Sequence, residues 1–520
     1  MGFYRFPSNN AASLLLKEST HSREFIRQGS LFMLLDNTSK VLDPLLVLAC
    51  VKLYAGGEWG FFKYYESILL LLGRLAVFGM DRGVVWIYAK RGSDASFGRA
   101  FSRAVNFVFL FSFILALVAA SQWAGWLPSW GRFARGTTGA SWFNITCYLS
   151  ALPFQSAMQL FLQALINKQA LYPLALVRNF ILPLATLGPA ALLAFTPFRP
   201  HGLAIPYLFG SILGCLLAAL FFLRAYPHVF KNWAASAWVP GDLIRFSLPL
   251  ASTDFVMSFA YRIDILLLGR YAGLQMVEVY TVITMIANSL RSIRQSFDNV
   301  MLSVFSKNHN NALDEEHRHG FNYATWMVLS FQMPIFFFAI FFGRECLRML
   351  SPHYVAGYPS LIITIGFTLF VTLFAFSPQV LMGVGKTKMI PIAQAVFFLA
   401  SLCFNLWLIP VYGLVGAAIA VGLSHTASGL FGMLAVRHHE KNWFFQRVYL
   451  KKILIEFSHT RYVLTKYRKK IFCCSGRSRT IHTEIWKVAF SACKLGGQPH
   501  YYFSISLSVP TRRVGVSAVL

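Results

Sequence analysis

The stretch "LYAGGEWGFFKYYESILLLLGRLAVFGMDRGVVWIYAK", residues 53–90, decides the fold once it is laid on "RYAGLQMVEVYTVITMIANSLRSIRQSFDNVMLSVFSK", residues 270–307. The two align without a gap at an offset of 217 positions, so that Tyr54, Ala55, Gly56, Arg74, Asp81 and Lys90 meet Tyr271, Ala272, Gly273, Arg291, Asp298 and Lys307. A nearly equal offset sets Pro173 and Ala175 on Pro391 and Ala393, and, with a loop insertion, "HGLA" on "YGLV". Self-similarity of this kind marks a chain built from two related halves.

The solvent of those halves follows from composition. The 520 residues are 56% hydrophobic and only 13% charged, with a mean hydropathy of +0.54, whereas a soluble domain carries roughly one quarter charged residues. This is the composition of an integral membrane protein. The net charge of +27 sits in short clusters between apolar segments and in a C-terminal tail, which fits the positive-inside rule and not a nucleic-acid-binding face.

About twelve segments are long and apolar enough to cross roughly 30 Å of hydrocarbon: near 29–54, 60–88, 102–126, 142–166, 172–196, 203–224, 243–271, 276–305, 322–350, 358–384, 389–410 and 414–436. Backbone polar groups in lipid must be satisfied within the segment, so the fold class expected is all-α, a polytopic bundle of two six-helix parallel repeats around a central cavity. The expected divisions are 1–28, an N-terminal cytoplasmic segment; 29–226, the first half; 227–242, a linker; 243–437, the second half; and 438–520, a basic tail. Lys90, Arg91, Arg99, Arg103, Arg224, Lys231, Lys307, Arg318, Lys386 and Lys388 fall in alternate loops, which places both termini in the cytoplasm. The first 28 residues lack a signal peptide's short apolar core.

The tail from 441 holds fifteen Lys and Arg against Glu456 and Glu484. Its piece "LKKILIEFSHTRYVLTKYRKKIF" reads either as a basic helix on an anionic leaflet or as an unstructured extension. Cys50, Cys147, Cys215, Cys346 and Cys403 fall in or beside apolar segments as small core residues, and Cys473 and Cys474 have no Cys-x-x-Cys partner.

Charges inside apolar runs carry the functional reading. Each Arg or Asp near mid-bilayer costs roughly 2.5–3.5 kcal/mol, so Arg291, Arg294 and Asp298 cannot face lipid. Arg294 and Asp298 are four apart and pair on one face, leaving Arg291 as an uncompensated cation. In the first span Asp36, Lys40 and Asp43 share one stripe; the second adds Lys63, Glu66 and Arg74; the seventh carries Asp254, Arg262 and Asp264. Gln155, Gln159 and Gln163 form a polar line at i, i+4 and i+8, suited either to sugar hydroxyls in a cavity or to interhelical hydrogen bonds. A guanidinium fork matches phosphate oxygens, which makes Arg291, Arg74, Arg294 and Lys40 candidates for binding a phosphate-bearing substrate. Asp36, Asp43, Asp254, Arg262, Asp264 and Asp298 are candidates for ion coupling or structural pairing. Arg74 and Arg291 are expected at equivalent places facing a shared interior.

Enzyme readings lack their motifs. "GVGKTK" has Val380 where a phosphate-binding loop needs glycine, no His-Glu-x-x-His or Gly-x-Ser-x-Gly is present, and His309, His317 and His319 lack ligand spacing. No cofactor or metal is expected. Pro44, Pro153, Pro249, Pro334 and Pro378 lie in or beside spans as candidate hinges.

The segment 53–91 with its Met80-Asp81-Arg82 group, "SLPLASTDFVMSFAYRIDILLLGRYAG" with Arg262-x-Asp264, "GVGKTK" and "LIPVYGLVGAAIAVGLSH" resemble the polysaccharide-export flippases of the multidrug/oligosaccharidyl-lipid/polysaccharide exporter superfamily, over roughly residues 25–437. The resemblance implies movement of undecaprenyl-diphosphate-linked oligosaccharide across a bacterial inner membrane for surface polysaccharide synthesis. It also implies membrane lipids and the polysaccharide polymerase and chain-length machinery as partners, no nucleic acid, and function as a monomer. The alternatives are an ion-coupled small-molecule or drug antiporter of the same superfamily, and a membrane glycosyltransferase or polymerase.

Overall fold

The computed structural model describes residues 31, 35, 38–39, 42–54, 56–91, 94–123, 140–168, 170–229, 233, 238–306, 315–383 and 385–439. The chain divides into a compact unit at Met1–Phe444 and a second unit from Phe445 onward. The second unit, and with it both readings of the basic tail, lies outside the described residues, as do Asp36, Lys40 and the segment 1–28.

Among the described residues the regular structure of the first unit is all helical. Residues 42–53 form helix α1, followed by α2 (Glu58–Val77), α3 (Met80–Arg91), α4 (Asp94–Trp123), α5 (Ala140–Ile166), α6 (Leu171–Ala175), a π-helix (Leu176–Ile181), α7 (Leu182–Leu193) and α8 (Ala204–Ala225). The second half follows with α9 (Gly241–Ala260), α10 (Ile263–Tyr271), α11 (Leu274–Ser306), α12 (Glu315–Leu350), α13 (Tyr358–Thr372), α14 (Ser377–Gly383) and α15 (Met389–His439). Among the described residues, seven helical spans are long and apolar enough to cross a membrane by length and composition. Of the remaining traverses, those at 60–88 and 243–271 are broken into shorter helices while α11 is continuous but carries charges along its length, and the layout is compatible with the twelve expected.

Three traverses are jointed where the sequence reads one continuous span or one boundary. The 60–88 span breaks at Phe78, whose φ of 52° caps α2, and Gly79 at φ 67°. Gly79 is required there: a Cβ would stand 2.5 Å from the Ser247 carbonyl oxygen of α9. The 243–271 span breaks at Tyr261 and Arg262, whose N–H groups close short turns onto Met257 and Phe259. Gly413, at φ 54° and ψ −122°, divides α15 into the two traverses that the sequence places at 389–410 and 414–436. Pro153, Pro249 and Pro334, expected as hinges, lie inside uninterrupted helices, because lipid-facing helices tolerate a proline whose freed carbonyl finds another donor.

The repeat is visible in three dimensions, for Gly56 and Gly273 both adopt positive φ, 107° and 89°, immediately before α2 and α11. These two counterpart helices cross closely. At Gly60 a Cβ would fall 1.9 Å from the Leu274 carbonyl oxygen. At the other end of the molecule α3 lies along α9, with Trp86 stacked on Phe246 at 4.5 Å and 9°. The first half's core is aromatic: Trp59, Phe62, Tyr64, Tyr65, Tyr148 and Tyr207 are all buried, with Tyr65 and Tyr148 stacked at 6.1 Å. Within this apolar mass Asp81, Asp264 and Glu278 are also buried, so each needs a compensating partner.

Candidate functional site

The cavities lie where the charged stripes converge. One of about 450 Å³ lies in the first half, walled by α1, α2, α5, the π-helix, α7 and the α9–α10 joint. A second, of about 420 Å³, lies between the halves and is lined by α1, α2, α10 and α11. Asp43, Val47, Lys63, Glu66 and Arg262 border both, so these residues form the partition between them.

The helical period brings Gln155, Gln159 and Gln163 of α5 onto the first cavity together with Arg74, Asp43 and Arg262. Gln155 donates to the Ser211 hydroxyl at 3.1 Å. The cavity gathers four cations, Lys63, Arg74, Arg178 and Arg262, against three acids, Asp43, Glu66 and Asp81. Lys63 and Glu66 pair at 2.7 Å and Arg74 meets Asp81 at 3.8 Å. Among the described residues Arg178 and Arg262 form no ion pair, and the buried Nε of Arg262 and one buried oxygen of Asp43 have no hydrogen-bond partner. Buried polar groups ordinarily find partners, so the partition presents unused donor and acceptor capacity to whatever enters.

Arg291, Arg294 and Asp298 lie elsewhere, on a cavity of about 370 Å³ within the second half, lined by α11, α13, α14 and α15. Arg294 donates to Asp298 at 2.9 and 3.3 Å. Arg291 faces the His425 ring at 3.4 Å and has no carboxylate within ion-pair distance among the described residues. Arg74 and Arg291 border different cavities, Arg74 the first and Arg291 that of the second half.

Two further candidates fall outside all three cavities. Asp264 does not pair with Arg262; it accepts the Tyr280 hydroxyl at 2.7 Å and the Ile265 N–H at 2.8 Å, as a buried carboxylate at the start of α10. Asp254 pairs with Arg82 of the other half at 3.0 Å.

Arg178 is a site residue that the charge reading passes over, although it stands in an apolar run as Arg291 does. Its aim toward the cavity depends on the π-helix, which no sequence period announces. His425, against Arg291, has no such signal, since a lone histidine in an apolar helix is ordinarily a core residue.

Comparison with known proteins gives the geometry its context. Residues 98–352 match the family model described as polysaccharide biosynthesis protein. The lipid II flippase MurJ in an inward closed conformation superposes with a TM-score of 0.68 at 15% identity, over 89% of this chain and 96% of that one. A multidrug resistance MATE family transporter of the MOP superfamily, inward-facing, superposes with a TM-score of 0.57 at 13% identity, over 76% of this chain and 93% of that one. A search of curated proteins returned no match. At such identities the structural likeness establishes the fold alone: the chain is a multi-pass helical membrane protein with the fold of these transporters, and its residues 98–352 are similar to the polysaccharide biosynthesis protein family.

Proposed function

We propose that the protein is a flippase that carries an undecaprenyl-diphosphate-linked oligosaccharide across a bacterial inner membrane for surface polysaccharide synthesis, by alternating access of its two halves. The observation that carries this reading is the first half's cavity, where unpaired Arg178 and Arg262 stand beside Arg74 and the line of three glutamines. Guanidinium forks suit diphosphate oxygens and replace the hydration a headgroup loses on entering a low-dielectric site. The glutamine amides supply donors and acceptors for sugar hydroxyls, and the prenyl chain stays in lipid. In this reading both termini are cytoplasmic, the α3–α9 end faces the cytoplasm, and the second half's Arg291 and Arg294 offer the diphosphate a further contact as the halves rock. The MATE fold likeness suits a small-molecule antiporter equally, so the test must separate cargo classes.

The wild type and the Arg262→Glu, Arg178→Glu and Arg291→Glu variants, made in a flippase-deficient strain supplied with the matched native glycan, would be scored for lipid-linked glycan left facing the cytoplasm. Wild-type rescue with loss in Arg262→Glu and Arg178→Glu supports the reading. No rescue by wild type refutes the flippase function, and full rescue by Arg291→Glu removes that residue from the substrate path.

A further inference from the structure

Four charged side chains stand in the wall shared by the first half's cavity and the cavity between the halves: Asp43 of α1, Lys63 and Glu66 of α2, and Arg262 at the α9–α10 joint. Two are acids and two are bases, yet among the described residues they form a single ion pair, Lys63 with Glu66 at 2.7 Å. One oxygen of Asp43 and the Nε of Arg262 are buried there without a hydrogen-bond partner. The Lys63 ammonium lies 5.1 Å from the Trp59 ring and 5.1 Å from the Phe62 ring. Trp59 borders the cavity between the halves and Phe62 borders the first half's cavity, so Lys63 sits on the boundary itself.

The four groups have a second way to pair. If Lys63 turns to Asp43 and Glu66 to Arg262, two ion pairs replace one, and both unused groups gain partners. The charge of Lys63 acts on the Asp43 carboxylate, and the charge of Glu66 acts on the Arg262 guanidinium more strongly than any other. Arg74, also on the first half's cavity, is engaged by Asp81 at 3.8 Å and does not compete for Glu66. The arrangement seen keeps the ammonium over two aromatic rings, and its ion pair, between neighbours on one helix, is a weak one. The alternative supplies the partners that buried polar groups ordinarily have. Each arrangement has a gain the other lacks, and the turn between them needs only the long, flexible side chains of α2.

We propose that Lys63 and Glu66 form a door between the two cavities, which opens by exchange of partners, Lys63 to Asp43 and Glu66 to Arg262, and joins the cavities into one chamber. Shut, each cavity, about 450 and about 420 Å³, has the size that encloses a drug-sized molecule, about 300–1,000 Å³. Open, the chamber runs from the glutamine line of α5 to Thr281, Thr284, Asn288 and Ser292 of α11, polar along both walls and suited to an extended polar ligand such as a short sugar chain. The door is a property of the wall and does not rest on the flippase reading.

The test uses the full chain in lipid nanodiscs, with native cysteines replaced and new ones at Gln159→Cys, on the first half's cavity, and Ser289→Cys, on the cavity between the halves. A linear bis-thiosulfonate reagent links them across the wall, lying in both cavities as an extended ligand would, and the link is read by mass spectrometry. Ile265→Cys with Ser289→Cys, both on the cavity between the halves, gives the rate of reagent entry and shows that each variant is folded. Relative to that rate, the double variant Lys63→Met with Glu66→Gln is expected to link about fivefold faster than the parent. Asp43→Asn and Arg262→Gln, which remove partners of the open arrangement alone, are each expected to link about fivefold more slowly. Arg262→Lys, which keeps a cation for Glu66, stays near the parent rate. A wall whose charges serve only packing would loosen, and link faster, in every one of these variants. No rise in the double variant, or rates in Asp43→Asn and Arg262→Gln equal to or above the parent's, overturns the inference.

Discussion

Arg82 of α3 reaches across to Asp254 of α9 at 3.0 Å, joining the two halves of the molecule through a pair whose cation is 55% exposed. About two helical turns further along α3, Lys90 meets Asp242 at 3.2 Å, and Trp86 stacks on Phe246 between them. Exposed pairs contribute about 0.2–1 kcal/mol each, while a stacked aromatic pair adds about 0.5–1.5 kcal/mol beyond the area it buries. Asp254→Asn should therefore loosen this end by less than about fivefold, read as cross-linking rate between cysteines placed on α3 and α9. Phe246→Ala should loosen it more, and raising salt should mimic only the charge mutant.

Gly60 is where α2 and α11 touch backbone to backbone. Gly60→Ala introduces a methyl into the space of the Leu274 carbonyl, and the overpacking is expected to destabilise the assembly by about 3 kcal/mol. Thermal unfolding in detergent checks this. Gly188→Ala, where a Cβ meets nothing within 4 Å, serves as the control that should not move the midpoint downward to a similar extent.

The unpaired Arg262 makes a claim on affinity. A hydrogen bond to a charged group is worth about 1.5–3 kcal/mol, so Arg262→Gln should weaken binding of inorganic pyrophosphate by roughly tenfold or more, measured by calorimetry on the purified protein. Arg262→Lys should recover only part of this, since an ammonium lacks the fork that grips two oxygens. Gln159→Leu should leave pyrophosphate affinity unchanged and reduce glycan transport.

The π-helix at Leu176–Ile181 holds one residue more per hydrogen-bonded ring than an α-helix. Excising Phe180 lets the segment relax to an α-helix and swings Arg178 about the axis, away from the cavity. The expected outcome is a protein that folds and inserts, with normal melting behaviour, and that leaves lipid-linked glycan on the cytoplasmic face in the flippase-deficient strain.

Much of the fold is legible in the sequence, and for a physical reason. Lipid forces apolar runs into helices, and the repeated Tyr-Ala-Gly before α2 and α11 survives because both turns need a glycine at positive φ. The joints were hidden. Phe78 in a left-handed conformation follows from the approach of α9 to Gly79, a contact 168 positions away in the chain (79 to 247) that no local pattern records. The Arg294–Asp298 spacing is local and so readable, whereas the placing of Arg74 and Arg291 on different cavities depends on how distant helices pack. The sequence does not single out Glu278, because it lies near a helix end, where charge is ordinary, and its four donors come from two distant segments.

The repeat is unequal in one respect with mechanical weight. α11 runs unbroken for 33 residues, a strut about 50 Å long at 1.5 Å per residue, while its counterpart is two rods hinged at Phe78 and Gly79. Force applied at one end of the strut arrives at the other nearly undiminished; force applied to the hinged arm is absorbed at the elbow. A molecule with one stiff limb and one compliant limb bends first at the compliant one, a bias that two identical halves would lack.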